Sequence, residues 1–189
     1  MLKVIFLFLL VAGSCAKEEI EIDWEVTTID EGYDFSFTVV ESPSDMTPSD
    51  QCDDQEEFGS NDCEFKSGDT VTVLIEATIP EPGLSENARL IGDYAINLGQ
   101  FGLISIPLNF NCALCGEVCD ISIDILGVKT SAELALPDCP VVGDYSEVVQ
   151  FTFEEGAFGG QSGQIEGNIV LRDDEGGIVF KATIEAEFE

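Results

Sequence analysis

The chain has no histidine, and only seven of its 189 residues are lysine or arginine. Without histidine there is no Ser-His-Asp or Cys-His arrangement and no imidazole to hold a metal. Against the seven cations stand 38 aspartates and glutamates, a formal net charge of −31. A phosphate backbone would be repelled by such a surface, which excludes nucleic acid as a partner. The same field opposes close approach to anionic lipid at neutral pH. No Asn-x-Ser/Thr sequence occurs, so nothing marks an N-glycan. Beyond the first residues no apolar run is long enough to cross a bilayer. No segment carries a sustained helical period with caps.

What is present begins with an export segment. Lys3 supplies a positive start, Val4 to Ala12 an apolar run too short to span, and Ser14-Cys15-Ala16 small residues at its end. Residues 1–16 read as a signal peptide and 17–189 as one domain, large enough to bury a core. Ala12-Gly13-Ser14-Cys15 also has the form of a bacterial lipobox, in which Cys15 would carry a lipid anchor. Both readings export the chain.

The remaining sequence alternates with period two. Ile20, Ile22, Trp24 and Val26 alternate with acids; Val71, Val73, Ile75, Ala77 and Ile79 form a second row. Val149, Phe151 and Phe153 form a third, and Ile178, Phe180, Ala182, Ile184, Ala186 and Phe188 a fourth. Each describes a strand with one buried face and one wet, acidic face. Further strands are expected near 35–40, 90–98, 103–108, 121–125 and 165–171. Turns are expected at 67–69, 80–83, 143–144 and 173–177. Eight or nine short strands predict an all-β, antiparallel sandwich. Ser42–Ser60, polar and acidic, reads as a surface loop tied down by Cys52 and Cys63. A hydrophobic share of 44% with this alternation argues against disorder.

Six cysteines remain for the folded domain: Cys52, Cys63, Cys112, Cys115, Cys119 and Cys139. In an exported chain an even number predicts disulfides, with fifteen pairings open. Cys112, Cys115, Cys119 and Cys139 could also make a tetrahedral zinc site, but an oxidising compartment favours disulfides, and no metal or cofactor is expected. A redox-active Cys112-x-x-Cys115 would want a nearby cation, whereas Glu117 and Asp120 are its neighbours. Carboxylate pairs for glycoside hydrolysis are uninformative among 38 acids, and the chain is not expected to be an enzyme. Asp173-Asp174-Glu175 lacks the spacing of a calcium loop and reads as a solvated turn.

Several of these motifs resemble the ML (MD-2-related) lipid-recognition family. They are Trp24 near the start of the domain, Cys63-Glu-Phe-Lys-Ser-Gly leading into a long strand, and the closing hairpin from Gly163 to Phe188. Cys112-Ala-Leu-Cys115-Gly-Glu-Val-Cys119-Asp-Ile and Cys139-Pro-Val-Val-Gly-Asp are similar to its ganglioside-activator branch. The resemblance implies the pairs Cys52–Cys63, Cys112–Cys115 and Cys119–Cys139. It also implies an immunoglobulin-like sandwich whose sheets part to admit a lipid. The family's bridge between first and last strands has no counterpart near Thr27 or Ile178–Val179. A bridge over so long a loop contributes roughly 3–5 kcal/mol.

These readings combine into a secreted or endolysosomal lipid carrier that holds a sterol, glycolipid or phospholipid in an apolar cavity between two sheets. Its cavity and portal residues are expected to be Phe101, Leu103, Ile106, Val149, Phe151, Phe153, Phe158, Ile169 and Phe180. The portal is placed at Gly99–Ile106 with Ala157–Gly163 facing it, where Phe101 and Phe158 are flanked by glycines. Expected partners are a lipid, a membrane surface touched transiently and more readily at acidic pH, and a lipid-processing enzyme or receptor. The alternative is an exported surface or adhesion sandwich with a solid core and no ligand.

Overall fold

The computed structural model describes residues 20–56, 58–66, 68–99, 104–116, 118–125, 128–135, 138–152 and 162–188. Its strands are β1 (Ile20–Ile29), β2 (Asp34–Ser42), β3 (Asp45–Pro48), β4 (Cys52–Glu56), β5 (Gly59–Phe65), β6 (Thr70–Leu84) and β7 (Arg89–Leu98). They continue with β8 (Ile104–Ala113), β9 (Val118–Ile125), β10 (Val128–Ala135), β11 (Val141–Thr152), β12 (Gly163–Arg172) and β13 (Ile178–Phe188). The all-β class expected from alternation is what is observed.

Eleven strands form one sheet in the order β11-β6-β2-β5-β1-β13-β12-β7-β8, with β3 alongside β2 and β4 alongside β5; β9 and β10 pair separately. Pairing is antiparallel except for a single parallel bridge, Phe37 to Gly59, between β2 and β5. That bridge needs glycine. At φ 113° Gly59 lies so close to β2 that a β-carbon would stand 1.9 Å from the Phe37 carbonyl oxygen.

The sheet folds over on itself. β2 and β13 are separated along it by β5 and β1. Yet the Phe180 ring lies 4.9 Å from Phe35 and 5.9 Å from Phe37, centroid to centroid. The inward rows of β11-β6-β2 therefore face those of β13-β12-β7-β8, which makes a two-layered sandwich with open sheet edges at β11 and β8. Register fixes the second layer's inward rows from one end to the other. They run Phe188/Gly163/Leu98, then Ala186/Ile165/Ile96/Ile106, then Ile184/Gly167/Tyr94/Leu108, then Ala182/Ile169/Gly92/Phe110, then Phe180/Leu171/Leu90/Cys112. Almost all are buried, as alternation predicted.

Three expectations need correction. Ser42–Ser60 is not a loop but contains β3, β4 and the start of β5. Its residues pair through the backbone, and the buried Ser60 hydroxyl accepts the Val39 N–H at 2.9 Å. Such pairing needs no apolar alternation, so no pattern announced it. The Pro80–Gly83 turn is instead strand, since β6 runs through to Leu84. The prolines, which cannot donate, fall where the register with β11 shifts between Gly143 and Val141. Gly143-Asp144 likewise lies inside β11.

Candidate functional site

The two ends of the sandwich differ. At the Leu84 end, several contacts latch separate strands together. Ser85 donates from its backbone nitrogen (3.1 Å) and its hydroxyl (2.8 Å) to Asp174 in the β12–β13 turn. The Leu114 N–H reaches the Ala88 carbonyl at 2.9 Å. A disulfide joins Cys115 to Cys139. The Phe35, Phe37 and Phe180 rings interlock just inside, nearer this end than the other.

Cysteine pairing departs from the implied pattern here. Cys52–Cys63 is present as implied, its residues directly opposite on β4 and β5. Cys115, however, bonds to Cys139 rather than to Cys112, and so Cys139 is not available to Cys119. Cys112 is itself disulfide-bonded. The reason is local. Cys112 is held inside the β8 ladder opposite Leu90, whereas Cys115 lies two residues beyond the strand in a turn beside Gly116. A β-carbon on Gly116 would stand 3.2 Å from the Cys139 sulfur, so the turn already lies against Cys139. Bonded sulfurs at Cys112, Cys115 and Cys139 leave no tetrahedral zinc set.

At the Ile20 end lie Phe188, Phe65 and the first residues of β12. The two segments expected to form a portal attach there, one after β7 and the other before β12. Their bases meet, because the Gly99 N–H donates to the Ser162 carbonyl at 2.8 Å. Phe101, Leu103, Phe153 and Phe158 lie outside the described residues. Of the other expected cavity residues, Ile106, Ile169 and Phe180 face inward and are buried. Val149 is half-buried on β11 opposite Val73, and Phe151 stands opposite Val71. The structure thus brings Ile106, Ile169 and Phe180 onto one wall and places Val149 and Phe151 on the other layer.

Sequence reading missed the residues that shape this wall. A β-carbon on Gly92 would fall 1.9 Å from the Phe110 ring, one on Gly167 2.1 Å from the Tyr94 ring, and one on Gly163 2.5 Å from the Phe188 ring. Each aromatic ring occupies the space that a β-carbon would take on a glycine of the neighbouring strand. Inward glycines in otherwise apolar rows were the signal available. Burial pushes the Tyr94 phenol well above the usual tyrosine range. Tyr33, near the Leu84 end, is raised less deeply in the fold by desolvation and then by the charges of Asp173, Asp30 and Asp174.

A groove of about 330 Å³ lies elsewhere, on the outer face of β2, β6 and β11. Asp34, Ser36, Glu76, Thr78, Asp144 and Ser146 line it. Thr78 donates to Asp144 at 3.0 Å. Its polar, acidic lining is the opposite of what an acyl chain or sterol requires.

No family model matches the chain, and neither does any curated protein. Among solved structures it is similar to the crystal structure of chicken MD-1 complexed with lipid IVa, at 16% sequence identity and a TM-score of 0.33, over 92% of this chain and 93% of that one.

Proposed function

We propose that the chain is an exported lipid carrier that holds one lipid between its β11-β6-β2 and β13-β12-β7-β8 layers. Lipid enters at the Ile20 end and is presented there to a membrane or a second protein. The observation that carries this reading is the polarity of the sandwich. One end is latched by a disulfide and by Ser85–Asp174, and at the other the two glycine- and phenylalanine-bearing segments share a base through Gly99 and Ser162. The apolar rows supply the driving force, since each buried methylene of a lipid contributes about 0.8 kcal/mol. Disulfides are typical of extracellular proteins, which suits an exported carrier. The non-enzymatic reading rests on the histidine-free composition.

A second reading has its own support. Ile169 is 1% exposed, Phe180 2% and Ile106 5%, so the described wall is closely packed. That is the interior of a surface or adhesion sandwich with no ligand, and a carrier built this way has to part its layers to load.

Native mass spectrometry of the purified mature chain, with organic extraction of what co-purifies, separates the two. A stoichiometric lipid released on denaturation is expected. A bare protein that also refuses fluorescent fatty acids and sterols overturns the carrier reading in favour of the solid sandwich.

A further inference from the structure

Three of the chain's few cations are brought together by the fold. Arg89 on β7 and Arg172 on β12 stand directly opposite one another in register, both on the outer face. Lys181 on β13 shares that face opposite Val170, two residues before Arg172 on β12. Three of seven cations thus cluster in a chain with 38 acids. Like charges directly opposite across two strands are destabilising.

The nearby acids are engaged by other donors. Among the described residues, no carboxylate lies within ion-pair distance of Arg89, Arg172 or Lys181. Asp173 Oδ1 is occupied by the Glu175 and Gly177 N–H groups at 2.9 and 2.7 Å. Asp174 is taken by Ser85. Asp93 faces the Asn109 amide at 2.7 Å once that amide is turned to donate. Arg172 spends one N–H on the Gly176 carbonyl at 2.7 Å, a bond that steadies the guanidinium and leaves its other donors available.

We infer that Arg89 and Arg172, with Lys181 beside them, form a subsite for one tetrahedral oxyanion, a phosphate or sulfate group. Two guanidinium forks borne at directly opposed positions suit such an anion through charge-assisted, bidentate hydrogen bonds. A small anion in direct contact with the guanidinium groups is held by short-range hydrogen bonds, while Asp173 and Asp174 in the adjoining turn oppose it through a screened field. A second copy of the chain would bring its whole negative field with it. The site lies on the outer face at the Leu84 end, apart from the proposed lipid path, and does not depend on it.

The test is a titration of the full chain with inorganic phosphate at constant ionic strength, read on the arginine Nε–H resonances. Saturable shifts at both arginines, competed by sulfate, are expected. Arg89→Gln and Arg172→Gln should each weaken binding about tenfold, and the double variant should abolish it. Lys66→Gln, outside the cluster, should leave it unchanged. Replacing both arginines by lysine keeps the charge and removes the forks, so binding should weaken there too. Shifts that are linear, that chloride reproduces, or that survive in the double variant overturn the site, as does undiminished affinity in the lysine pair. Flotation with phosphatidylcholine vesicles containing phosphatidic acid then distinguishes the source. Arginine-dependent flotation assigns a lipid headgroup, and saturable phosphate binding without flotation assigns a soluble phosphoester.

Discussion

Glycine at position 92 decides how the inner wall is laid. Its missing β-carbon is the space in which the Phe110 ring rests, and an alanine there would have to displace that ring. Gly92→Ala is therefore expected to destabilise the fold by about 1–3 kcal/mol, measured by denaturant unfolding. The cost should largely vanish in a Phe110→Ala background, because the clash has gone. Equal costs in both backgrounds would sink the account of ring upon glycine. Tyr94 offers a second residue-level test. Its folded-state pKa is raised by burial, so the folded chain holds that proton more tightly than the unfolded one. The sign follows: this contribution to stability is complete below about pH 10 and is lost as pH rises beyond the unfolded value. Phenolate absorbance from Tyr94 should appear together with alkaline unfolding, and a Tyr94→Phe variant should lack that coupled step. Tyr94 ionising with the fold intact, by far-UV circular dichroism, would contradict it.

Among the elements, what was legible depended on whether a strand had two unlike faces. β1, β2, β6, β12 and β13 each bury one face along most of their length, and their alternation located β2, β12 and β13 to within two residues at each end, while β1 and β6 run on past the expected rows. β3 is exposed along its whole length. It shows no period because neither face is selected for burial. β6 reaches through Pro80 and Pro82 because prolines are harmless where the ladder is already interrupted. The candidate site was legible in the same measure. Inward Ile106, Ile169 and Phe180 followed from alternation, while the glycine–aromatic pairs depend on register between strands far apart in sequence. Cysteine partners were the least legible, since spacing does not say that a strand ends between Cys112 and Cys115. Peptide mapping of the oxidised chain should recover Cys115 linked to Cys139; recovery of a Cys112–Cys115 linkage would refute the latched end. Replacing Cys115 and Cys139 together by alanine should cost roughly 3 kcal/mol by loop-closure entropy, for a sequence separation of 24.

Charge acts on the whole molecule. On the outer face Glu21 stands opposite both Glu187 and Glu64, and Glu185 opposite both Asp23 and Glu166. Opposed like charges oppose folding, and a net charge of −31 adds long-range repulsion to them. Screening relieves both. Raising sodium chloride from about 0.01 M to about 1 M, which shortens the Debye length from about 30 Å to about 3 Å, should therefore raise the melting temperature. The same field governs encounter with a membrane. As pH falls from 7 toward 5 the carboxylates as a class begin to protonate, and the repulsion between the protein and anionic vesicles shrinks. For a lipid carrier, transfer of a fluorescent lipid to anionic vesicles should rise over that interval, while transfer to neutral vesicles changes much less. High salt at pH 7 should reproduce part of the rise, because it removes the same repulsion without moving a proton. Transfer that is flat or falling with pH would break the link between charge and delivery. A rise that salt cannot imitate would instead assign the effect to protonation at a particular group.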